Sequence, residues 1–350
     1  MRILWMILGA VILCILIVIF AVVGWYRHAL KPVASTKQPS VHFTVQRGES
    51  VSEVAANLHD KGLIRSTAAF LYYYRGHHQG GGIQAGNYLF SPTMTPALMI
   101  SQMVSGKVIP NAITVTIPEG FNVKDIANRL QSAGVCKASA FMEAEQHGQF
   151  KQGFVAQLAG RAHVLYRFEG FLFPDTYDFQ PHEKAQDVIN EMLDDFQRRV
   201  LTKSNLQAMK KQKITLNQLI TKASLVENEA QVNKERPLIA SVINNRLSIH
   251  MELQIDATVE YALGHHVDVV TDADTKIKSV YNTYMVNGLP PGPIDSPGLK
   301  SIDAVLHPAH TKYLYYVAKG DGSGEHYFAK TYAQQLHDES LYEENLAKHK

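Results

Sequence analysis

The sequence has few cysteines and almost no net charge, and each shortage excludes a class of protein. Two cysteines among 350 residues, Cys14 and Cys136, cannot form a disulfide framework. Lysine and arginine total 34 against 32 aspartates and glutamates, which gives a formal net charge of +2. Nucleic-acid-binding domains usually carry a basic stripe, so we expect no nucleic-acid partner.

The sequence also lacks the motifs of metal-dependent and nucleophilic enzymes. Its 16 histidines form no HExxH motif and no zinc-type spacing with cysteine. No GxSxG motif marks a nucleophilic serine. The glycine-rich stretch KGDGSGE lacks the strand, lysine and helix that surround a phosphate-binding loop. We therefore predict neither a metal nor a cofactor.

A long uncharged apolar run is present at the N-terminus. The run from Ile3 to Tyr26 contains no charged residue, and it is long enough for a helix to cross a bilayer of about 30 Å. The run shows neither the short apolar core nor the small-residue cleavage site of a signal peptide. We predict an uncleaved transmembrane anchor at residues 1–26. Its orientation stays open because basic residues lie at both ends.

Two later segments resemble each other at a constant offset. They are FTVQRGESVSEVAANLHDKGLI, from Phe43 to Ile64, and VTIPEGFNVKDIANRLQSAGVC, from Val115 to Cys136. Each predicts a short strand, a glycine turn, an amphipathic helix and a glycine stop. This unit resembles the LysM type of glycan-binding module. A strand–helix unit without a ligand is the alternative, and for the second copy both interpretations stand.

The chain therefore divides into four parts in our prediction. A linker at 27–41 follows the anchor, a LysM-like α+β module occupies 42–108, and a larger domain occupies 109–350. The part of that domain at 109–150 holds the second copy. Helices and strands alternate through the larger domain, which indicates a mixed α+β fold.

The stretch ITKASLVENEA places two acids, Glu227 and Glu229, in a segment that reads as a buried helix. At 3.6 residues per turn they lie roughly 200° apart, so only one can face a given cleft. The helical wheel makes Glu227 the more buried acid, although Leu225 indicates that the opposite face is covered too.

An acid in an apolar wall has a raised pKa, as a general acid near neutral pH requires. The alternative is that Glu227 and Glu229 are surface or supporting acids paired with Lys222 or Lys234.

Three further segments combine acids, amides and aromatic residues in a way that suits sugar binding. They are RFEGFLFPDTYDF with Glu169, LQIDATVEYALG with Gln254 and Asp256, and YNTYMVNGLPPGPIDSPG with Asn282 and Tyr284. The prolines of the last segment stiffen it, as a preformed binding wall requires. Each segment alone also fits ordinary core and turn residues. Together they favour glycan chemistry.

These motifs resemble those of the endolytic murein transglycosylases. The resemblance covers nearly the whole chain and is carried by AGNYLFSP, IPEGF, EGFLFPDTY, ASLVENEA, NNRLSIHMELQIDATVEYALG, YNTYMVNGLPPGPIDSPG and HPAHTKYLYYVA. It implies an enzyme anchored in the cytoplasmic (inner) membrane with its catalytic domain on the outer side. Peptidoglycan glycan strands would be its substrate, and peptidoglycan synthases are partners that the family implies.

The resemblance also implies roles for single residues. Glu229 would be the catalytic acid, with Glu227 as a supporting acid, and the enzyme would cleave the MurNAc–GlcNAc β-1,4 bond to leave 1,6-anhydro ends. The implied substrate-binding residues are Glu169, Gln254, Asp256, Asn282 and Tyr284. Two departures from the family pattern are Ala230, where threonine is common, and Gln334 with Gln335, where Glu-His is common. A binding scaffold without turnover and a hydrolytic muramidase are the alternatives.

Overall fold

The computed structural model describes residues 17–35, 40–77, 82–106 and 112–349. Residues 17–29 are helical. Within the described ranges no helix combines the length and hydropathy needed to span a bilayer. Most of the predicted anchor, residues 1–16, lies outside them. The mixed α+β prediction is confirmed, with far more helix than strand.

The chain divides into two compact units. The first comprises residues 1–114 and 178–181, and the second comprises residues 115–177 and 182–350. Strands β3 (Ile113–Thr116) and β4 (Thr176–Phe179) form a two-stranded sheet.

The first unit is a small α+β unit around an aromatic core. Its elements in chain order are β1 (Val41–Val45), α1 (Val51–Asp60), α2 (Thr67–His77), β2 (Gly86–Phe90) and α3 (Pro96–Val104). The two strands are antiparallel, and Phe43 lies opposite Tyr88. Both side chains are fully buried with Leu58 of α1. The alternation of apolar residues along β1 thus supplies one face of this core.

Both repeat copies form the predicted strand, glycine turn and helix. Ser50 and Glu53 form a reciprocal capping box at the start of α1. Asn122 and Asp125 do the same at the start of α4 (Val123–Ser132). The turn glycines Gly48 and Gly120 have φ values of 84° and 81°, in the left-handed region that favours glycine.

The second unit is largely helical. After α4 its helices are α5 (Ala138–His147), α6 (Ala185–Val200), α7 (Lys203–Gln212), α8 (Leu216–Glu229), α9 (Arg236–Ser248), α10 (Asp256–Leu263), α11 (Leu299–Leu306) and α12 (Tyr332–His349). Single 3-10 turns occupy Val155–Leu158, Asn233–Glu235 and Asp274–Lys276. Strands β5 (Tyr315–Ala318) and β6 (His326–Ala329) form an antiparallel hairpin, which packs against α12.

Helix α8 lies at the centre of this unit and positions both acids. It contacts α9, α10 and α11, and buried residues occur on its opposite faces, as Ile220 and Leu225 illustrate. The helical wheel assumes that a helix is covered on one face only. That assumption is wrong for α8. The helix ends at Glu229, because Ala230 is extended at φ −90° and ψ 107°.

Candidate active site

The last residue of α8, Glu229, lies in the wall of a pocket of about 170 Å³. The pocket collects side chains from α8, α9, β5, the start of α10 with the residues before it, and the loop between α10 and α11. They are Glu229, Arg246, Leu253, Gln254, Asp256, Tyr284 and Tyr316. Three of the predicted substrate-binding residues, Gln254, Asp256 and Tyr284, are thus brought together with the predicted catalytic acid.

The Glu229 carboxyl group holds its proton more tightly than an ordinary glutamate. Burial raises its pKa to about 7, and the negative charge of Asp256 acts in the same direction. The Tyr316 hydroxyl opposes this by donating a hydrogen bond of 2.9 Å to Glu229 Oε2, and the charge of Arg246 also lowers the pKa. A carboxyl group that is half protonated near neutral pH can both donate and accept a proton in one reaction cycle.

Arg246 holds the wall of this pocket together. Its buried guanidinium donates to the carbonyl oxygens of Leu253 at 2.7 Å and Leu314 at 2.6 Å. It also lies over the ring of Tyr315, with 5.3 Å between Cζ and the ring centroid. Arg246 therefore ties the segment before α10 to the segment that enters β5, and it places a fixed positive charge beside Glu229.

Another part of the pocket wall is formed by a segment with an unusual backbone conformation. Gln254 has a φ of 48°, in the left-handed region that residues other than glycine rarely adopt. Its N–H donates to the Thr283 carbonyl oxygen at 3.0 Å. Two residues later, Asp256 Oδ1 accepts a 2.5 Å hydrogen bond from the Tyr284 hydroxyl. Left-handed residues of this kind cost about 1–3 kcal/mol and are concentrated at functional sites.

Glu227 faces a different environment and does not line this pocket. Its carboxylate pairs with Arg236 at 3.0 Å, and the two side chains are only 8% and 9% exposed. It also accepts a 2.9 Å hydrogen bond from the Gly298 N–H at the start of α11. Glu227 is buried, and a cation and a backbone N–H compensate its charge there. Its partner is neither Lys222 nor Lys234, which bind Asn244 and Glu325.

Glu169 and Asn282 are also buried away from the Glu229 pocket. Glu169 accepts hydrogen bonds from the Val123 N–H at 3.0 Å and the Tyr261 hydroxyl at 2.8 Å, and burial raises its pKa well above the usual range. Asn282 donates to two backbone carbonyl oxygens and accepts from the Tyr284 N–H at 3.0 Å. Glu169 therefore braces α4, whereas Asn282 shapes the loop that presents Tyr284.

The residues that depart from the family pattern do not line the pocket either. Ala230 is buried behind the end of α8. Gln334 is exposed, and Gln335 donates to Glu339 within α12.

Sequence reasoning missed two polar residues of the pocket, Arg246 and Tyr316. Both lie inside segments that carried the family resemblance, NNRLSIHMELQ and HPAHTKYLYYVA. Arg246 gave no local signal of burial, because the polar residues Asn244 and Asn245 precede it directly in the helix.

Fold and site together define an α+β protein with a pocket built around one glutamate that is poised for proton transfer. The chain belongs to the YceG-like family, whose model matches residues 43–340.

Curated relatives and a solved structure agree with this assignment. The chain is 36% identical to an endolytic murein transglycosylase of Bacillus subtilis strain 168, over 93% of this chain and 88% of the relative. It is 30% identical to the protein of that name from Streptococcus pneumoniae strain D39, over 90% of this chain, but spans only 60% of that relative. A crystal structure of a YceG-like protein from Listeria monocytogenes matches with a TM-score of 0.58 and 31% identity, over 86% of this chain and 99% of the other.

Proposed function

We propose that this protein is an endolytic murein transglycosylase, which cleaves the MurNAc–GlcNAc β-1,4 bond inside peptidoglycan strands and leaves 1,6-anhydro-MurNAc ends. The observation that carries the proposal is the position of the Glu229 carboxyl group in the pocket. Its pKa there is raised to about 7. The curated relatives of the chain carry the same activity in their names.

In the first step of the proposed reaction, protonated Glu229 donates its proton to the glycosidic oxygen. The bond between MurNAc C1 and that oxygen breaks, and GlcNAc leaves as the alcohol. Positive charge develops on the MurNAc ring, and Asp256 in the same pocket would stabilise it electrostatically. Tyr316, which donates to Glu229 Oε2, would stabilise the carboxylate that results.

In the second step the Glu229 carboxylate removes the proton from the 6-hydroxyl of the same MurNAc. That oxygen attacks C1 and forms the 1,6-anhydro ring, which restores protonated Glu229. No water is consumed. The attacking hydroxyl is tethered to the reacting carbon, so its effective concentration is far higher than that of a free nucleophile.

We assign roles to the other predicted site residues from where they lie. Gln254 and Tyr284, in the pocket wall, would contact the sugars. Glu227, Glu169 and Asn282 would support the site through the segments to which they bind.

A hydrolytic muramidase is the second candidate, because the pocket holds a second carboxyl group, that of Asp256. Hydrolytic glycosidases use two carboxyl groups, one as acid and the other as base or nucleophile. In that reaction Asp256 would activate water or attack C1, and the product would carry a reducing end.

The membrane location and the partners that we propose are those that the sequence analysis predicts. Residues 1–26 would anchor the chain in the cytoplasmic membrane, with the domain at 109–350 on the outer side. The strand–helix–helix–strand order of the first unit supports a LysM-like glycan-binding role for residues 42–108. Peptidoglycan synthases would be the partners that supply nascent strands.

The test is mass analysis of products from purified glycan strands treated with the 350-residue chain or with its Glu229→Gln and Glu227→Gln variants. Fragments one water lighter than hydrolysis products, lost with Glu229→Gln but retained with Glu227→Gln, are expected. Reducing-end products would identify a muramidase. Binding of strands without cleavage by the unsubstituted chain would identify a scaffold.

A further inference from the structure

The hydrogen bond from Tyr316 to Glu229 depends on where the tyrosine ring is held. A tyrosine side chain turns about its side-chain torsions, and a ring without fixed neighbours can carry its hydroxyl away from an acceptor. Hydrogen bonds also weaken steeply once the donor angle falls below about 120°. The residues that fix the Tyr316 ring are therefore part of the machinery around Glu229.

The Tyr316 ring packs against two side chains of strand β6. Tyr316 lies opposite Phe328 in the hairpin register, and His326 is its diagonal neighbour on the same face. The His326 and Tyr316 rings meet edge to face, with 5.6 Å between their centroids and 89° between their planes. The Phe328 ring is tilted against Tyr316 at a centroid distance of 6.2 Å. His326 is the nearer of the two, so its orientation sets that of the Tyr316 ring.

His326 is itself fixed by the buried carboxylate of Glu235. The ring atom Nδ1 lies 2.7 Å from Glu235 Oε2, and the His326 backbone N–H donates to Oε1 at 3.1 Å and to Oε2 at 3.2 Å. The two side chains are only 8% and 5% exposed. Because a carboxylate only accepts hydrogen bonds, Nδ1 carries the proton of this contact, and the ring cannot turn over without losing it.

The pair of His326 and Glu235 closes a ring of contacts that begins and ends at Glu229. Glu235 ends the short segment that leads from Glu229, the last residue of α8, to the start of α9. From Glu235 the contacts run through His326 to Tyr316, and from there to the Glu229 carboxyl group. The backbone that leaves the acid thus carries the residue that fixes the acid's hydrogen-bond donor.

We propose that His326, anchored by Glu235, is a positioning residue that holds the Tyr316 hydroxyl against the Glu229 carboxyl group. His326 does not line the Glu229 pocket, so it acts through Tyr316 and not on the substrate. This role rests on the proposed function and deepens it by naming the residues on which the hydrogen bond to the proton donor depends.

The first experiment records kcat/KM for strand cleavage against pH with the full chain. His326→Asn keeps an N–H donor for Glu235 but removes the ring that meets Tyr316. The alkaline limb should move to higher pH by about 0.5–1 pH unit, because a displaced Tyr316 no longer lowers the pKa of Glu229. In a Tyr316→Phe background, His326→Asn should add no further movement. An unmoved limb, or equal movement in both backgrounds, would overturn the positioning role.

Lys234→Gln is the matched control for this experiment. Lys234 and Glu325 stand directly before Glu235 and His326 in the chain and form an ion pair between the same two segments. That pair is not one of the ring contacts of Tyr316, so its loss should leave the alkaline limb in place whatever it does to the melting temperature. Movement equal to that in His326→Asn would indicate general loosening of the hairpin and contradict the assignment.

A third variant tests the anchor. His326→Phe keeps a ring beside Tyr316 but cannot bind Glu235, so the ring is free to turn. Its alkaline limb should move in the same direction as that of His326→Asn, by a smaller amount. A limb at its original position would overturn the anchoring by Glu235.

The second experiment measures the pKa of Glu229 without turnover, by carbon NMR titration of a chain labelled at its glutamate carboxyl carbons. Glu229→Gln identifies the resonance. His326→Asn should raise this pKa by as much as it moves the alkaline limb, and Lys234→Gln should not change it. If this holds while the unsubstituted chain releases no products from strands, the positioning role stands and the proposed function is wrong. Products together with an unchanged pKa in His326→Asn would overturn the positioning role alone.

Discussion

The two sides of the last turn of α8 hold the same type of side chain in opposite electrostatic settings. On one side Glu227 is buried against Arg236 and the Gly298 N–H. On the other side Glu229 meets a tyrosine hydroxyl and the nearby charge of Asp256, while Nε and Nη1 of Arg246 donate to carbonyl oxygens. Burial alone therefore does not produce a general acid, since the partners decide whether the charged form is compensated.

The largest expected effect is loss of activity in Glu229→Gln. The amide preserves the shape of the side chain but cannot transfer the proton, so strand cleavage should fall about 10²–10⁴-fold. Product formation measured by mass analysis checks this. Glu227→Gln is the matched control, and comparable losses in both variants, measured per folded molecule, would abolish the distinction between the two sides.

The next expected effect is on stability and falls on the opposite side. Glu227→Gln leaves Arg236 as a buried charge without its partner, which should lower the free energy of unfolding by about 3–5 kcal/mol. Urea denaturation measures this change. Arg236→Met combined with Glu227→Gln should recover much of the loss. A Glu227→Gln variant as stable as the original chain would mean that the ion pair does not hold α8 to the start of α9.

A smaller effect is a pH-dependent gain in stability for Glu229→Gln. Because the folded pKa of about 7 exceeds the ordinary value of 4.5, the folded state binds more protons than the unfolded state between these values. The free energy of unfolding therefore falls as pH rises through that window. The variant lacks this loss and should be more stable than the original chain at pH 8, by on the order of 1 kcal/mol after allowance for solvent screening.

Denaturation at pH 4 and pH 8 checks this prediction, since the advantage of the variant should disappear at the lower pH. An advantage of equal size at both pH values would indicate a packing effect instead.

The smallest effects should be shifts of the alkaline limb of the pH–activity profile, in opposite directions for Tyr316→Phe and Asp256→Asn. Tyr316→Phe removes a hydrogen bond that lowers the pKa of Glu229, so the limb should move to higher pH. Asp256→Asn removes a charge that raises this pKa, so the limb should move to lower pH. We expect about three- to tenfold losses of kcat in both. Profiles of kcat/KM against pH measure the shifts, and movement in the same direction would contradict the assignment of Glu229 as the titrating acid.

Local features of the fold could be predicted from the sequence because their determinants lie close together in the chain. Thr215 and Gln218 stand at the spacing of a capping box before α8, and both hydrogen bonds of the box are present. Capping depends on residues three positions apart, so no tertiary information was needed. The same holds for the boxes of α1 and α4.

The site was only partly predictable because its contacts join distant segments. Arg246 belongs to the site because it donates a hydrogen bond to the Leu314 carbonyl oxygen. Tyr316 belongs to it because its hydroxyl donates to Glu229. The wheel could not rank Glu227 and Glu229 by function, because it does not show that Arg236 lies beside the former. The family resemblance favoured Glu229 where periodicity favoured Glu227.

The hydrogen bond between Tyr316 and Glu229 has a mechanical consequence. Tyr316 belongs to the β5–β6 hairpin, and that hairpin packs against α12, the C-terminal helix. A displacement of the hairpin that broke this bond would raise the pKa of Glu229, because the bond lowers it. Through Tyr316, the acidity of a residue at the end of α8 thereby depends on the placement of the last part of the chain.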